Sequence, residues 1–414
     1  MKNRIISIIF LICASAATGH PQQAIPALSL QRVIDTYIQN NLELQGAQYK
    51  VERAKADQIG ARLRPNPGMT VTAENLAVSG PTPFSQIYEI AATYSHPIEL
   101  GGKKALREKA ADANVSAAEA QFENTMRLGL ADVKRLYFEA LLTRYNVEVA
   151  TESRQTFDQL LQFNMTRFQE GAIPELDLIK VRLERIKFDS AVKQAELGLR
   201  QATIRLLERL GSPISSDQQI VGELNFNLVT LDLNSLRDFA VNGRADVRAA
   251  EADVVVANQR LALERGRSSA DVTPFAGYKR TGSDNTLIAG VNIPLKIRDH
   301  NEAEIARAQV DVKTAQMRVQ LVRNHVMADV ESAYTALQTS RELVETFQND
   351  LLRQADESRS ITLAAYEEGG SELLPVLDAQ RTRSEVRQQY FKTLFDYQAG
   401  IVALELAVGK EVQP

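Results

Sequence analysis

The 414-residue chain has no tryptophan, a 6% aromatic content, four histidines and a single cysteine. Each shortage excludes something. With so few large rings, the 44% of hydrophobic residues suits Ala- and Leu-rich helix packing better than one thick core. The lone Cys13 leaves no disulfide framework to read. His20, His96, His300 and His325 stand at no metal-ligand spacing, which argues against a zinc or copper site. A formal net charge of -4, from 48 Lys and Arg against 52 Asp and Glu, gives no basic stripe and hence no expected nucleic-acid partner. Beyond Ala17 no run of about 18 apolar residues occurs, so no membrane-spanning helix is expected. No nucleophile elbow, phosphate loop or H-E-x-x-H is present; Gly101-Gly102-Lys103-Lys104 lacks the upstream Gly and following Ser or Thr of a phosphate loop. Neither an enzyme nor a cofactor is expected.

What is present begins with an export signal. Lys2 and Arg4 precede the apolar Ile5 to Ile12, and Ala14-Ser15-Ala16 offers a small-residue cleavage site. A signal peptide over 1–19 is expected, cut between Ala16 and Gly19. Cys13 is an alternative lipidation site, disfavoured because Ile12 before it is not small.

The mature chain is organised around a repeat. The stretch FQEGAIPELDLIKVR, Phe168 to Arg182, returns as YEEGGSELLPVLDAQR, Tyr366 to Arg381, at an offset of about 198 positions. In each copy a Gly ends one long helical pattern and a returning helix follows, making a hairpin tip. From Ala105 to Glu170 there is no Pro and only Gly129, enough helix to reach on the order of 100 Å. Leu130, Val133, Tyr137, Leu141, Tyr145 and Val149 line one stripe of it. The returning helix begins at Pro174 and carries Leu176, Ile179, Leu183, Ile186, Leu197, Ile204 and Leu207 in one heptad register, a coiled-coil seam. The second half repeats the plan: a helix from about Leu236 to Arg265 answers one from Leu28 to Ala61, and a helix from Glu302 to Glu368 with Val330, Ala333, Leu337, Val344, Phe347 and Leu351 in register answers the first long one. The expected divisions are a first repeat over 20–214, a connection over 215–235, a second repeat over 236–408 and a tail over 409–414.

Between the helical patterns lie four strand candidates, Met69–Val78, Tyr88–Pro97, Val272–Lys279 and Thr286–Pro294. Their length of about ten residues suits a tilted bilayer crossing, and Leu287, Ala289, Val291 and Ile293 alternate with smaller or more polar residues. Pattern alone leaves open a soluble four-stranded sheet packed on the helices. Closed membrane barrels begin at about eight strands, so spanning strands would require several copies to share one barrel.

Acids crowd both tips: Glu170, Glu175 and Asp177 at the first, Glu367, Glu368, Glu372 and Asp378 at the second. A helix N-terminus favours such residues by its dipole; copies gathered round an axis would instead make acidic rings that attract cations. Both readings stand at this point.

With RPNP at Arg64 to Pro67, the tips EGAIPELDL and EGGSELLPVLDA, and GRADVRAAE from Gly243 to Glu251, the whole mature chain resembles the TolC-like outer-membrane efflux proteins. That resemblance implies a mainly α fold with a small β part: duplicated coiled-coil hairpins plus four transmembrane strands in a trimeric α/β-barrel. It implies a homotrimer in the outer membrane of a Gram-negative bacterium, its helical tunnel crossing the periplasm. Such a duct contacts outer-membrane lipid and passively conducts substrates delivered by an inner-membrane pump through a periplasmic adaptor, or membrane fusion protein. HPIELGGKK, His96 to Lys104, is similar to a segment of the CzcC-type members, which serve heavy-metal cation pumps. By the same resemblance Gly171 and Gly369 match adaptor-docking tip glycines, and Asp378 matches an acid of the periplasmic entrance gate. The companion gate position holds Pro375, so Glu372 is the substitute, and Asp177 occupies the equivalent place in the first repeat. The alternatives are a periplasmic coiled-coil adaptor, a binding module of another class, and the exit duct of a type I secretion system.

Overall fold

A computed structural model describes residues 27–214, 218–228 and 231–412. The export signal, Cys13 and part of the 215–235 connection lie outside the described residues. The elements run α1 (Leu30–Asn40), α2 (Leu42–Arg62), β1 (Gly68–Glu74), α3 (Phe84–Ile87), β2 (Glu89–Ser95), α4 (Lys103–Gln169), α5 (Glu175–Leu210), α6 (Leu233–Gly243), α7 (Ala245–Arg267), β3 (Thr273–Thr281), β4 (Asp284–Asn292), α8 (Glu302–Thr346), a π turn (Phe347–Leu351), α9 (Leu352–Glu367) and α10 (Leu373–Val408). Helix α4, 67 residues without a break, is about 100 Å long.

The four strands form one antiparallel sheet in chain order, β1-β2-β3-β4. Every strand enters or leaves the helical part at the same end, and no helix lies along either face of the sheet. The soluble-sheet alternative, which needs helices packed on the strands, is therefore not what the chain builds. Register explains the alternation. Val71, Ala92, Tyr278 and Leu287 stand in one row, and Met69, Tyr94, Ala276 and Ala289 in the next, all on one face. The opposite face carries the rows Thr70, Thr93, Gly277, Ile288 and Thr72, Ala91, Lys279, Thr286. Strand ends differ from expectation by a few residues for local reasons. β1 stops at Glu74 because Asn75 takes a left-handed conformation (φ 57°), which an extended ladder cannot contain. The β3–β4 turn is two residues, Gly282-Ser283, so β4 begins at Asp284.

Both helices expected to precede the strands are broken once. Asn41 ends α1, donating its N–H to Tyr37 O (3.0 Å), and starts α2, its Oδ1 accepting from the Leu44 N–H (2.9 Å). Its buried amide also donates to Arg209 O at the end of α5 (2.8 Å). Arg244 does the same work between α6 and α7. It is 5% exposed, and its guanidinium reaches Asp246 (2.6 Å), Asp329 on α8 (2.9 Å) and the Ala407 carbonyl on α10 (3.0 Å). The long second helix is also interrupted, by the π turn. Opposite it Phe347, Tyr390, Phe391 and Tyr145 form an aromatic chain with centroid separations of 6.4, 5.5 and 4.3 Å.

The main core lies midway along the helices, where α1, α4, α5, α6, α8 and α10 meet over Val33, Tyr37, Val133, Leu141, Leu206, Val330 and Leu404. Gly129 in α4 is explained there, since a Cβ at that position would run into the Tyr37 hydroxyl. The stripes expected on α4 and α8 lie mostly in or against this core, with Val149 and Phe347 buried outside it and Leu351 38% exposed.

Replacing Arg244 with Ala leaves the half-buried Asp246 with only the longer contact to Arg127 (3.5 Å) and the Ala407 carbonyl without the guanidinium donor. The expected cost is about 3–5 kcal/mol, as for breaking a buried ion pair by removing one member. Unfolding in detergent would show a midpoint unchanged from the parent if Arg244 were not the tie described here.

Candidate functional site

At the end of the helices farthest from the sheet, the two tips are built alike, and the backbone shows why each has its glycine. Helix α4 ends with Gly171 N–H donating to Phe168 O (3.0 Å) and Ala172 N–H to Arg167 O (2.8 Å). The second hairpin repeats this with Gly369 to Tyr366 O (3.1 Å) and Gly370 to Ala365 O (2.8 Å). This paired termination needs a left-handed residue, and Gly171 (φ 72°) and Gly369 (φ 82°) supply it. Beyond each glycine lies open space, with no heavy atom within 4 Å of an added Cβ.

Below the tips the two hairpins are tied to each other. Phe157, Leu160, Val181, Tyr366, Leu373, Val376 and Leu377 make a second, smaller core. Asn164, fully buried, donates to Leu160 O (2.8 Å) and accepts from the Tyr366 hydroxyl. Arg167 lies over the Phe163 and Tyr366 rings at 5.5 and 5.4 Å. Farther along, Glu152 of α4 receives Arg383 (3.0 Å) and Arg387 of α10, and Ser153 donates to Ser384 (3.3 Å). Glu184 of α5 is held by Arg381 of α10 and by Lys187 (2.8 Å). Burial alone would raise the Glu184 carboxyl, but the hydrogen bonds from Arg381 and Lys187 outweigh it and hold the group below its ordinary range.

The residues named from sequence fall as follows. Asp378 is exposed, one turn before Arg381, which stands between it and Glu184. Glu372 is exposed as the residue capping α10, without a side-chain cap hydrogen bond. Asp177 is half-buried in the first turn of α5 and pairs with Lys180 (3.1 Å). Pro375 occupies the first turn of α10, where its missing N–H is without consequence. Sequence reasoning missed Glu184, Arg381, Asn164 and Glu152. A charged residue on a largely polar helix gives no signal of a partner about 200 positions away; only the repeat offset, which sets Arg182 near Arg381, hinted at it.

The heptad register on α5, expected as a coiled-coil seam, is mostly turned away from the rest of the chain. Leu176, Leu183, Ile186 and Leu197 are 60, 55, 58 and 47% exposed, and of that register only Leu207 is buried. The face of α5 turned to the rest of the chain is Leu178, Val181, Val192, Ala202 and Leu206. The stripe is a seam that the single chain leaves uncovered. HPIELGGKK proves to be a junction. Arg107 grips Glu99 at 2.6 and 3.1 Å and the Ala61 and Leu63 carbonyls at 3.0 and 2.9 Å, while the buried Lys103 meets Asp271 at 2.7 Å. Those contacts fasten the ends of α2, α4 and α7 where strands become helices. Among the described residues no group of His, Cys, Asp and Glu is arranged to hold a metal ion, and no helix is long and apolar enough to cross a membrane.

This architecture has known counterparts. The model of the family described as "Outer membrane efflux protein" matches residues 33–212 and 236–410. The chain is 26% identical over 397 residues to the cobalt-zinc-cadmium resistance protein CzcC of Cupriavidus metallidurans, covering 94% of this chain and 92% of that one. It is 22% identical over 403 residues to the cation efflux system protein CusC of Escherichia coli K12, covering 92% and 86%. Among solved structures, CusC superposes with a TM-score of 0.76 at 20% identity, over 92% of each chain. VceC of Vibrio cholerae superposes with a TM-score of 0.75 at 16% identity, over 93% of this chain and 97% of that one.

Glu184→Gln is expected to loosen the tie between α5 and α10 by roughly 1–2 kcal/mol, since a charge-assisted bond in a partly exposed setting is removed. Hydrogen exchange should then quicken about tenfold around 365–385. Because the folded carboxyl is depressed, its contribution is full above the ordinary value of 4.5 and is lost as pH falls through the lower folded value. The difference between parent and variant should hold from neutral pH down to about 5 and shrink below 4.5. Equal exchange at neutral pH would remove Glu184 from the tie.

Proposed function

Because the chain belongs to the outer membrane efflux protein family, whose channels are homotrimeric exit ducts working with periplasmic adaptors and inner-membrane pumps, we propose that this duct carries heavy-metal cations and that its paired tips are the adaptor sockets and the entrance gate. The sheet is the observation that carries the duct. Its apolar face, with Met69, Val71, Tyr94, Leu287 and Val291 all more than half exposed, meets lipid rather than protein, and four strands from each of three chains close a barrel that four alone cannot. The reading gives the chain no reaction of its own, only a conduit. Cation cargo is supported by the likeness to the cobalt-zinc-cadmium resistance protein CzcC and the cation efflux system protein CusC and by the acids at the tips. In a trimer the exposed Asp378 and Glu372 repeat three times around the axis, and such rings attract cations. Asp177, held by Lys180, contributes less. With Pro375 at the companion position, each ring has fewer charges than two acids per chain would give.

Cation conduction at the entrance is tested by Asp378→Asn in single-channel recordings. Cation-over-anion selectivity should fall, or block by divalent cations weaken by several-fold; unchanged selectivity and block would remove Asp378 from the gate.

Cargo and docking are tested together in a deletion strain challenged with cobalt, zinc and cadmium salts. The parent gene should restore tolerance. Gly369→Asn retains a residue able to take the left-handed turn but puts a side chain into the open space beyond the tip. It should assemble as a trimer and fail to restore tolerance. Full restoration by Gly369→Asn would refute the socket, and a deletion without effect on metal tolerance would refute the cargo.

A further inference from the structure

The apolar alternation of β4 does not stop where the sheet stops. Leu287, Ala289, Val291, Ile293, Leu295 and Ile297 follow at every second position, yet the last ladder pair is Thr273 with Asn292. Nine paired residues rise about 30 Å, and tilted they fill an apolar band of about 25 Å by themselves. Leu295 and Ile297, 76 and 75% exposed, therefore stand beyond that band, at the end from which the helices leave. In the first repeat Ile98, still bridged to Val272, and Leu100 follow β2 and are 44 and 42% exposed, with His96 stacked on Tyr94 at 6.4 Å.

The charges at this level are sorted. Glu99 is paired with Arg107 and Asp271 with Lys103, while the exposed Asp299 accepts from the Asn301 N–H (2.8 Å). Arg64 and Arg298 are exposed, and Lys296 is half-exposed, its ammonium donating to the Arg267 carbonyl. The opposite end of the sheet carries Glu74, Glu89 and Asp284 together with Arg280 and with Lys279, which pairs with Glu89.

We infer that this junction is a binding surface for anionic phospholipid headgroups: Leu295 and Ile297 enter the edge of the periplasmic leaflet while Arg64, Lys296 and Arg298 hold the phosphates. The inference rests on the duct reading above, because it requires the sheet to lie in a bilayer. Apolar side chains just past a spanning segment, flanked by long basic ones, anchor at this depth. Each such cation near an anionic surface contributes on the order of a factor of five in binding. The occupant follows from continuity with the lipid-facing row and from charge; a purely zwitterionic surface would not call for three cations grouped where Glu99 and Asp271 are already paired.

The absence of tryptophan from the chain makes the test direct. Leu295→Trp trimers are reconstituted into vesicles of about seven parts phosphatidylcholine to three of phosphatidylglycerol, with bromine on one lipid or the other. Quenching per mole of brominated phosphatidylglycerol should be at least about twofold that of phosphatidylcholine. The ratio should fall to one when Arg64, Lys296 and Arg298 are all changed to Gln. A ratio of one in the parent background, or one unaffected by the three changes, overturns the inference. Leu287→Trp reports separately on the bilayer itself. It should be quenched by both lipids alike, and its escape from both would bring down the duct reading along with the surface.

Discussion

A strand edge inside hydrocarbon has no water to bond its N–H and C=O groups, and each unsatisfied group there costs several kcal/mol. The sheet of this chain ends on two such edges, the outer sides of β1 and β4. Its apolar face is bare, and no helix covers either side. A single chain is therefore an unfinished object in the membrane, completed only when β4 of one copy pairs with β1 of the next. The helical part carries the same incompleteness in another form. The α5 stripe through Leu176, Leu183, Ile186 and Leu197 has heptad spacing and no partner within the chain, the mark of a seam waiting for another helix. Closure of the barrel brings the copies side by side, and the seam then has something to meet.

The duplication supplies the rest by repetition, and its departures from symmetry are informative. The two tips share a hydrogen-bond pattern residue for residue. The breaks between the leading helices are both fixed by a buried polar residue, but Asn41 uses a neutral amide where Arg244 gathers two carboxylates and a carbonyl. Only the second long helix contains a π turn, a feature that often accompanies function within helices. Pro375 stands in the first turn of α10 where Asp177 stands in α5, so the acids of the two tips are not interchangeable.

Much of this was legible in the residues. The Gly–Pro punctuation and the repeat located both hairpins, because helix endings depend on local backbone chemistry that sequence displays. Leu287, Ala289, Val291 and Ile293 revealed a strand face because side chains alternate with period two. Where reading failed, the cause was tertiary. Asn41 breaks a helix because Arg209 O, far along the chain, is placed to accept from its amide while its Oδ1 accepts from the Leu44 N–H. Phe347 starts a π turn opposite Tyr390 and Phe391. Glu184 becomes a cross-tie only because Arg381 arrives from the far end of the chain. A heptad register shows that a helix has a seam but not whether the partner is its own chain, and on α5 it is not.

The central claim is that neighbouring copies finish one another's sheet. Cys13 is the only cysteine of the chain, so a pair can be introduced in a Cys13→Ser background, one at Val71 on β1 and its mate scanned over 285–291 on β4. Oxidation of the protein in outer-membrane vesicles should give covalent dimers and trimers at a single β4 position and its alternate neighbours. Bands confined to the monomer at every position would contradict the account.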